Sequence, residues 1–142
     1  MEVRELMTER VISVGQDEPV TAAARLLKRH NIGALPVCDS SGRLRGLVTD
    51  RDIVLRCVAM GEDPQSTRTG EIMSRGILTA EPEDSVERAV KVMAQDQVRR
   101  LPVLSNGRLV GIVSLCDMAR NRSCDMEAAE ALTEISANIK RR

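Results

Sequence analysis

The 142-residue chain contains no Phe, Tyr or Trp, which removes the aromatic platforms on which single-stranded nucleic acids stack. A base held here would lie between aliphatic side chains. There is one histidine, His30, and the four cysteines, Cys38, Cys57, Cys116 and Cys124, form no Cys-x-x-Cys pair. No metal site is expected, and the cysteines read as reduced thiols. Charge of either sign is not in excess, since Lys+Arg and Asp+Glu are both 21, so nothing global draws the chain to nucleic acid or to an anionic membrane. No apolar run approaches the ~20 residues of a membrane helix, and Met1-Glu2-Val3-Arg4-Glu5 lacks an apolar signal region. The expectation is a soluble, cytoplasmic protein with neither nucleic acid nor membrane as partner.

What the chain does contain is a duplication. Leu35-Pro36-Val37 through Gly46-Leu47-Val48-Thr49-Asp50-Arg51-Asp52 recurs as Leu101-Pro102-Val103 through Gly111-Ile112-Val113-Ser114-Leu115-Cys116-Asp117. Pro36 and Pro102 are 66 residues apart, Asp52 and Asp117 65, so the second hairpin loop is one residue shorter. Met7 falls on Met73, Val20 on Val86 and Ala23 on Ala89. With 42% apolar residues a core is affordable, and a unit carried twice normally buries its apolar face against its copy. The division reads as repeat 1 over 1–60, a polar linker over 61–70, repeat 2 over 71–122 and a helical tail over 123–142.

Each repeat reads as β-α-β-β-α, an α+β fold. A turn of helix over Val3 to Met7 precedes a strand over Val11 to Val14; Asp17-Glu18-Pro19 starts a helix whose stripe is Val20, Ala23, Ala24 and Leu27. Strands over Ala34 to Cys38 and Leu44 to Thr49 form a hairpin, and a helix over Asp50 to Met60 turns Ile53, Val54, Cys57 and Val58 inward. In repeat 2, Glu71 to Met73 is the opening turn and Ile77 to Thr79 the strand. Asp84-Ser85-Val86-Glu87 has the form of a capping box, followed by a stripe of Val86, Ala89, Val90 and Met93. The hairpin runs over Leu101 to Leu104 and Leu109 to Ser114, and the last helix starts at Leu115 to Arg120. In the tail, Asp125 would cap a helix striped with Met126, Ala129, Leu132, Ile135 and Ile139, to be packed on the repeats or on a second molecule.

The chemistry sits where a strand runs into a helix. At Gly46 to Asp52, backbone N–H groups and the helix dipole suit a phosphate, Thr49 adds a hydroxyl, and the Asp52 carboxylate can accept hydrogen bonds from a ribose diol. Ser114 and Asp117 repeat the arrangement. Local physics supports equally the plainer reading, in which Thr49 and Ser114 are helix caps and both aspartates are first-turn dipole partners.

Leu-Pro-Val, a hairpin, then Gly-hydrophobic-x-Thr/Ser-x-x-Asp, twice over, each after an amphipathic helix, resembles a tandem pair of CBS domains, the Bateman module, over residues 1 to about 122. The resemblance implies two repeats packed about a pseudo-twofold axis, binding adenine nucleotides (AMP, ADP or ATP) or S-adenosylmethionine in two clefts. One cleft would use Thr49 and Asp52 with Leu78, Val98, Arg99 and Arg100. The other would use Ser114 and Asp117 with Ile12 and Ile32. The arginine pair before Leu101-Pro102 has no counterpart in Ile32-Gly33-Ala34, so the Asp52 cleft is expected to be the tighter site for phosphorylated ligands. Arg51 reads as a phosphate contact or a local charge partner, and Leu115-Cys116 in place of Asp50-Arg51 makes the Asp117 cleft more apolar.

No nucleophile with a base, no aligned histidine and no G-x-x-x-x-G-K-[ST] loop occurs, so catalysis is not expected. The reading is a regulatory module that needs no obligatory cofactor and takes an adenine nucleotide as its ligand. It would form a homodimer and pass its signal to an effector protein. The alternative is a scaffold protein, with S-adenosylmethionine or nothing in its clefts, assembling through the tail helix. RNA binding through Arg68, Arg75, Arg99 and Arg100 is the weakest reading.

Overall fold

The computed structural model describes residues 1–119, 129, 131–133, 135 and 136. The expected tail residues Asp125, Met126 and Ile139 lie outside the described residues. A short 3-10 turn, Val3–Glu5, is followed by β1 (Val14–Gly15), α1 (Val20–His30), β2 (Ala34–Cys38), β3 (Leu44–Thr49) and α2 (Asp50–Ile53). Next come α3 (Thr69–Ile72), α4 (Val86–Asp96), β4 (Arg100–Ser105), β5 (Arg108–Ser114) and α5 (Leu115–Ala119). The mixed α+β architecture of two related repeats is as expected from the sequence.

In repeat 1, β1 pairs parallel with β2, and β2 antiparallel with β3, giving the order β1-β2-β3. In repeat 2, β4 and β5 form a two-stranded sheet. Where Ile77 to Thr79 was expected to add a strand, a single parallel bridge, Ala80 to Val103, stands in the register that Val14 to Val37 occupies in β1. Its two hydrogen bonds, Ala80 N–H to Pro102 O at 2.9 Å and Leu104 N–H to Ala80 O at 2.8 Å, hold the segment to the sheet.

Contacts divide the chain into two compact units that cut across the order of the repeats. One unit is Ile12–Ile77 with Gly107–Leu109; the other combines Met1–Val11 with Leu78–Asn106 and the chain from Val110 onward. Each repeat has given up its opening segment. Val86 N–H, the first of α4, donates to Met1 O at 3.0 Å; Val20 N–H, the first of α1, donates to Thr67 O at 2.9 Å. The carbonyls thus satisfy donors that a helix start leaves open. Residues 61–70, expected as linker, in part do this capping, since Pro64 O also accepts from Thr21 N–H at 3.0 Å.

The exchanged segments then run against the second hairpin strand. Leu47 and Ser74 exchange backbone hydrogen bonds at 3.0 and 2.7 Å, and Thr8 and Ile112 do the same at 2.8 and 3.0 Å. A glycine stands beside each crossing. A Cβ on Gly46 would lie 2.5 Å from Ser74 O, and one on Gly111 would lie 2.7 Å from Met7 Sδ.

Each unit has its own core. Val14, Val20, Ala23, Leu27, Leu35, Val37, Val48, Cys57, Ile72 and Met73 fill one. Val3, Ala80, Val86, Ala89, Val90, Met93, Leu101, Val103, Val113, Leu115 and Met118 fill the other, and Ala131 and Ile135 of the tail join them. The two helix stripes are as read from the sequence, except that Ala24 is only half-buried. Burying one Val, Leu, Ile or Met contributes ~1.5–3 kcal/mol, against ~1 kcal/mol for a helix cap. These stripes therefore decide where the helices lie.

The starts and ends of helices depart from the sequence reading. Pro19 rather than an acidic side chain is the cap position of α1, and it makes no side-chain cap bond; Glu18 accepts instead from Gly15 N–H at 2.7 Å. The cap of α4 is Ser85, which accepts from Arg88 N–H at 3.1 Å, one residue later than the expected box. The largest departure follows α2. From Val54 to Val58 the helix is a π turn, with Ala59 N–H reaching back to Val54 O at 2.8 Å. The extra residue per turn shifts the phase of the inner face. Cys57 is buried, but Val54 and Val58, expected inside, are 55% and 61% exposed.

The two glycine crossings should respond differently to a methyl group. Gly46→Ala drives Cβ into a backbone carbonyl and is expected to cost ~2–3 kcal/mol, in the range of overpacking. Gly111→Ala meets first the end of a flexible methionine, so combining it with Met7→Ala should restore most of the loss, whereas Met73→Ala should not rescue Gly46→Ala. Urea unfolding of the five proteins checks this; equal rescue at both crossings would contradict the assignment.

Candidate functional site

The strand-to-helix junctions form as the sequence suggests, and their capping geometry is explicit. At the first, Thr49 Oγ1 accepts from Asp52 N–H at 3.0 Å, while Asp52 Oδ2 accepts from Thr49 N–H at 3.0 Å. At the second, Ser114 Oγ accepts from Asp117 N–H at 3.1 Å and Asp117 Oδ2 accepts from Ser114 N–H at 3.0 Å. These reciprocal pairs are capping boxes with aspartate in the third position. The structure thus shows Thr49, Asp52, Ser114 and Asp117 in the capping role of the plainer reading. A carboxylate has about four lone-pair sites, so one capping bond leaves acceptor capacity over.

The junctions differ in their surroundings. Asp52 is 8% exposed. Ser74 Oγ donates towards both of its oxygens at 3.4 Å, and Arg56 Nη1 lies 3.8 Å from Oδ1. The same Arg56 nitrogen donates to Ile72 O and Met73 O at 3.1 and 3.2 Å. Arg56 and Ser74 were not singled out from the sequence. Ser74 could have been, since it aligns with Thr8 in the duplication; Arg56 could not, because the π turn sets where its side chain goes. Asp117, by contrast, is half-buried.

The other expected residues fall into the two units as follows. Ile12 and Ile32 are half-buried beside the core of the first unit. Val98 packs on the core of the second, while Leu78 is 42% exposed. Arg51 is exposed, as are Arg99 and Arg100, and none of the three makes an ion pair among the described residues. Glu83 bonds Arg4, at 2.9 Å.

Arg99 and Arg100 open onto a cavity of about 530 Å³ in the second unit. Ser114, Leu115, Cys116, Ala119, Ala129 and Leu132 complete its described lining. The backbone joins two parts of this lining, with Leu115 N–H donating to Arg99 O at 2.9 Å. The cavity thus groups the arginine pair with Ser114, which the resemblance places in the other cleft. A concave, mainly apolar space with a few convergent polar groups is the usual form of a small-molecule site. Guanidinium groups in the lining that make no ion pair among the described residues suit an anion.

Cys116 is exposed, while Cys38 and Cys57 are buried, and burial pushes the Cys38 thiol up. His30 is exposed at the end of α1. Among the described residues no three His, Cys, Asp or Glu side chains cluster as a metal ion would require. None of the described helices is long and apolar enough to cross a membrane.

Comparison with known proteins gives this geometry a family. The chain is 45% identical over 134 residues to the CBS domain-containing protein YhcV of Bacillus subtilis, covering 94% of each chain. It is 44% identical over 118 residues to hypoxic response protein 1 of Mycobacterium tuberculosis, covering 83% of this chain and 82% of that one. A crystal structure of Hypoxic Response Protein I, solved with two coordinated zinc ions, superposes with a TM-score of 0.79 at 43% identity, over 85% of this chain and 98% of the other. The CBS domain pair of protein MJ0100, solved in complex with 5-methylthioadenosine and S-adenosylmethionine, gives 0.72 at 29% identity over 84% and 94%. The CBS-domain family model matches residues 3–58 and again 70–123, and with both repeats matched the chain belongs to the CBS-domain family as a tandem pair.

Proposed function

We propose that this protein is a regulatory module that binds an adenosine-containing ligand, AMP, ADP or ATP, and performs no chemistry on it. The observation that carries the reading is that Arg99 and Arg100, which make no ion pair among the described residues, line a cavity together with Ser114. The family supports it, since the CBS pair of MJ0100 was solved with two adenosyl compounds bound. In this reading Thr49, Asp52, Ser114 and Asp117 read ribose hydroxyls with the acceptor capacity left after capping. Arg99 and Arg100, with Arg51, contact phosphate, and Ile12, Ile32, Leu78 and Val98 pack on the base in place of aromatic side chains. The output goes to an effector protein that distinguishes ligand-bound from ligand-free states, which requires the ligand to favour one of them.

Self-association is part of the proposal. Val54, Leu55, Val58 and Met60, turned outward at and beyond the π turn, are 46–70% exposed, and adjoining apolar side chains of this size in water mark a surface that is covered in the working assembly. A homodimer is the expected state. Val54→Glu with Val58→Glu should reduce the mass measured by sedimentation equilibrium to that of one chain; an unchanged mass removes this face from the interface.

The ligand reading is tested by calorimetry with AMP, ADP, ATP, S-adenosylmethionine and adenosine. Replacing Arg99 and Arg100 by Gln removes charge-assisted hydrogen bonds of roughly 1.5–3 kcal/mol each. AMP should therefore weaken at least tenfold and adenosine hardly at all. Asp52→Asn and Asp117→Asn, which keep an acceptor for the capping bond, should lower affinity for every probe without lowering the melting temperature by more than a few degrees. Silence of the unmodified protein towards all five probes at millimolar concentration would sink the proposal, and turnover of ATP would overturn its non-catalytic part.

A further inference from the structure

The tail segment has two apolar faces with different fates. Ala131 and Ile135, four residues apart on one helical face, are 1% and 3% exposed and belong to the core with Leu115 and Met118. Ala129 and Leu132, three apart on the neighbouring face, line the cavity, and Leu132 is 45% exposed there. Ala131 and Ile135 thus anchor one face in the core, while Ala129 and Leu132 lie on the cavity. Among the described residues, the polar groups around that space are Arg99, Arg100 and Ser114, while Leu115, Cys116, Ala119, Ala129 and Leu132 supply the apolar lining. The lining fits a ligand with an anionic group and an apolar-faced body. The tail aligns with nothing between the repeats: the stretch after repeat 1 spends its carbonyls on capping α1.

We propose that the tail residues Ala129 and Leu132, anchored by Ala131 and Ile135, form the ligand-sensing wall of this cavity, with Leu132 as the residue that contacts the body of a bound anion. The inference rests on the adenosine-ligand reading and adds the element that responds. Leu132 has apolar surface left to cover, and a ligand held by the arginine pair would cover it only while Ala131 and Ile135 keep the segment in place. Tail docking then raises ligand affinity by the factor by which ligand strengthens tail docking, since the coupling is reciprocal. The effector reads the tail.

The absence of aromatic side chains supplies a clean probe. In full-length Leu132→Trp the new indole is the only tryptophan, and AMP is expected to shift its emission, whereas inorganic phosphate, lacking the body, should not. In Leu132→Glu a carboxylate replaces the apolar wall, and AMP affinity by calorimetry should fall at least tenfold. Thr133→Glu places the same charge one residue along, on an exposed position, and should stay within twofold of the parent. Melting curves of both glutamate variants separate loss of the wall from loss of the fold. If the parent binds AMP while Leu132→Glu binds as Thr133→Glu does and the indole ignores AMP, the tail inference is overturned and the ligand reading survives. If the parent binds no probe, both fall together.

Discussion

Two backbone crossings hold the architecture in place. At Gly46 and at Gly111 the second hairpin strand lets another segment pass so close that Ser74 O, or Met7 Sδ, occupies the space of a Cβ. The hydrogen bonds at these crossings, together with Val86 N–H to Met1 O and Val20 N–H to Thr67 O, fasten each opening segment to the repeat that did not encode it. Val3 and Thr69, which correspond in the duplication, are both fully buried. Thr69 can be so because its hydroxyl donates to Glu18 O at 2.8 Å, which removes the cost of an unmet polar group.

Much of this was legible in the amino-acid order, and the exceptions have physical causes. The helix stripes and the hairpins follow from periodicity, because burial of large apolar side chains outweighs local preference. The π turn was not legible: Ile53 to Met60 carries an ordinary helical pattern, and the shift that exposes Val54 and Val58 comes from hydrogen bonding that no residue type announces. Nor was the exchange of opening segments, since Val3 reads as the start of its own repeat and Thr69 as part of a polar linker. The cap of α1 escaped because its donors are met by carbonyls 47 and 43 positions downstream, at Thr67 and Pro64, and carbonyls have no side-chain signature.

The candidate site shows how far a motif reaches. Thr49 with Asp52 and Ser114 with Asp117 were read both as caps and as ligand readers, and the geometry makes them caps with oxygen lone pairs to spare. Sequence alignment could pair the two aspartates; it could not show that Ser74 and Arg56 enclose one of them while the other lies partly open. The grouping of Arg99 and Arg100 with Ser114 depends on β4 and β5 lying side by side and on Leu115 N–H meeting Arg99 O. That is a property of the folded hairpin rather than of the spacing.

The exchange of arms also bears on how such a chain came to be. A lone repeat would have an opening segment with nowhere of its own to lie and a hairpin strand whose glycine faces an unfilled groove, so it could complete itself only by trading arms with a second molecule. Joining two copies in one chain turns that encounter into an intramolecular one, at an effective concentration in the millimolar range for short linkers. Fusion made completion independent of how much protein the cell holds. Within one chain the two halves need not match: one carries an arginine pair and a tail, the other an enclosed carboxylate.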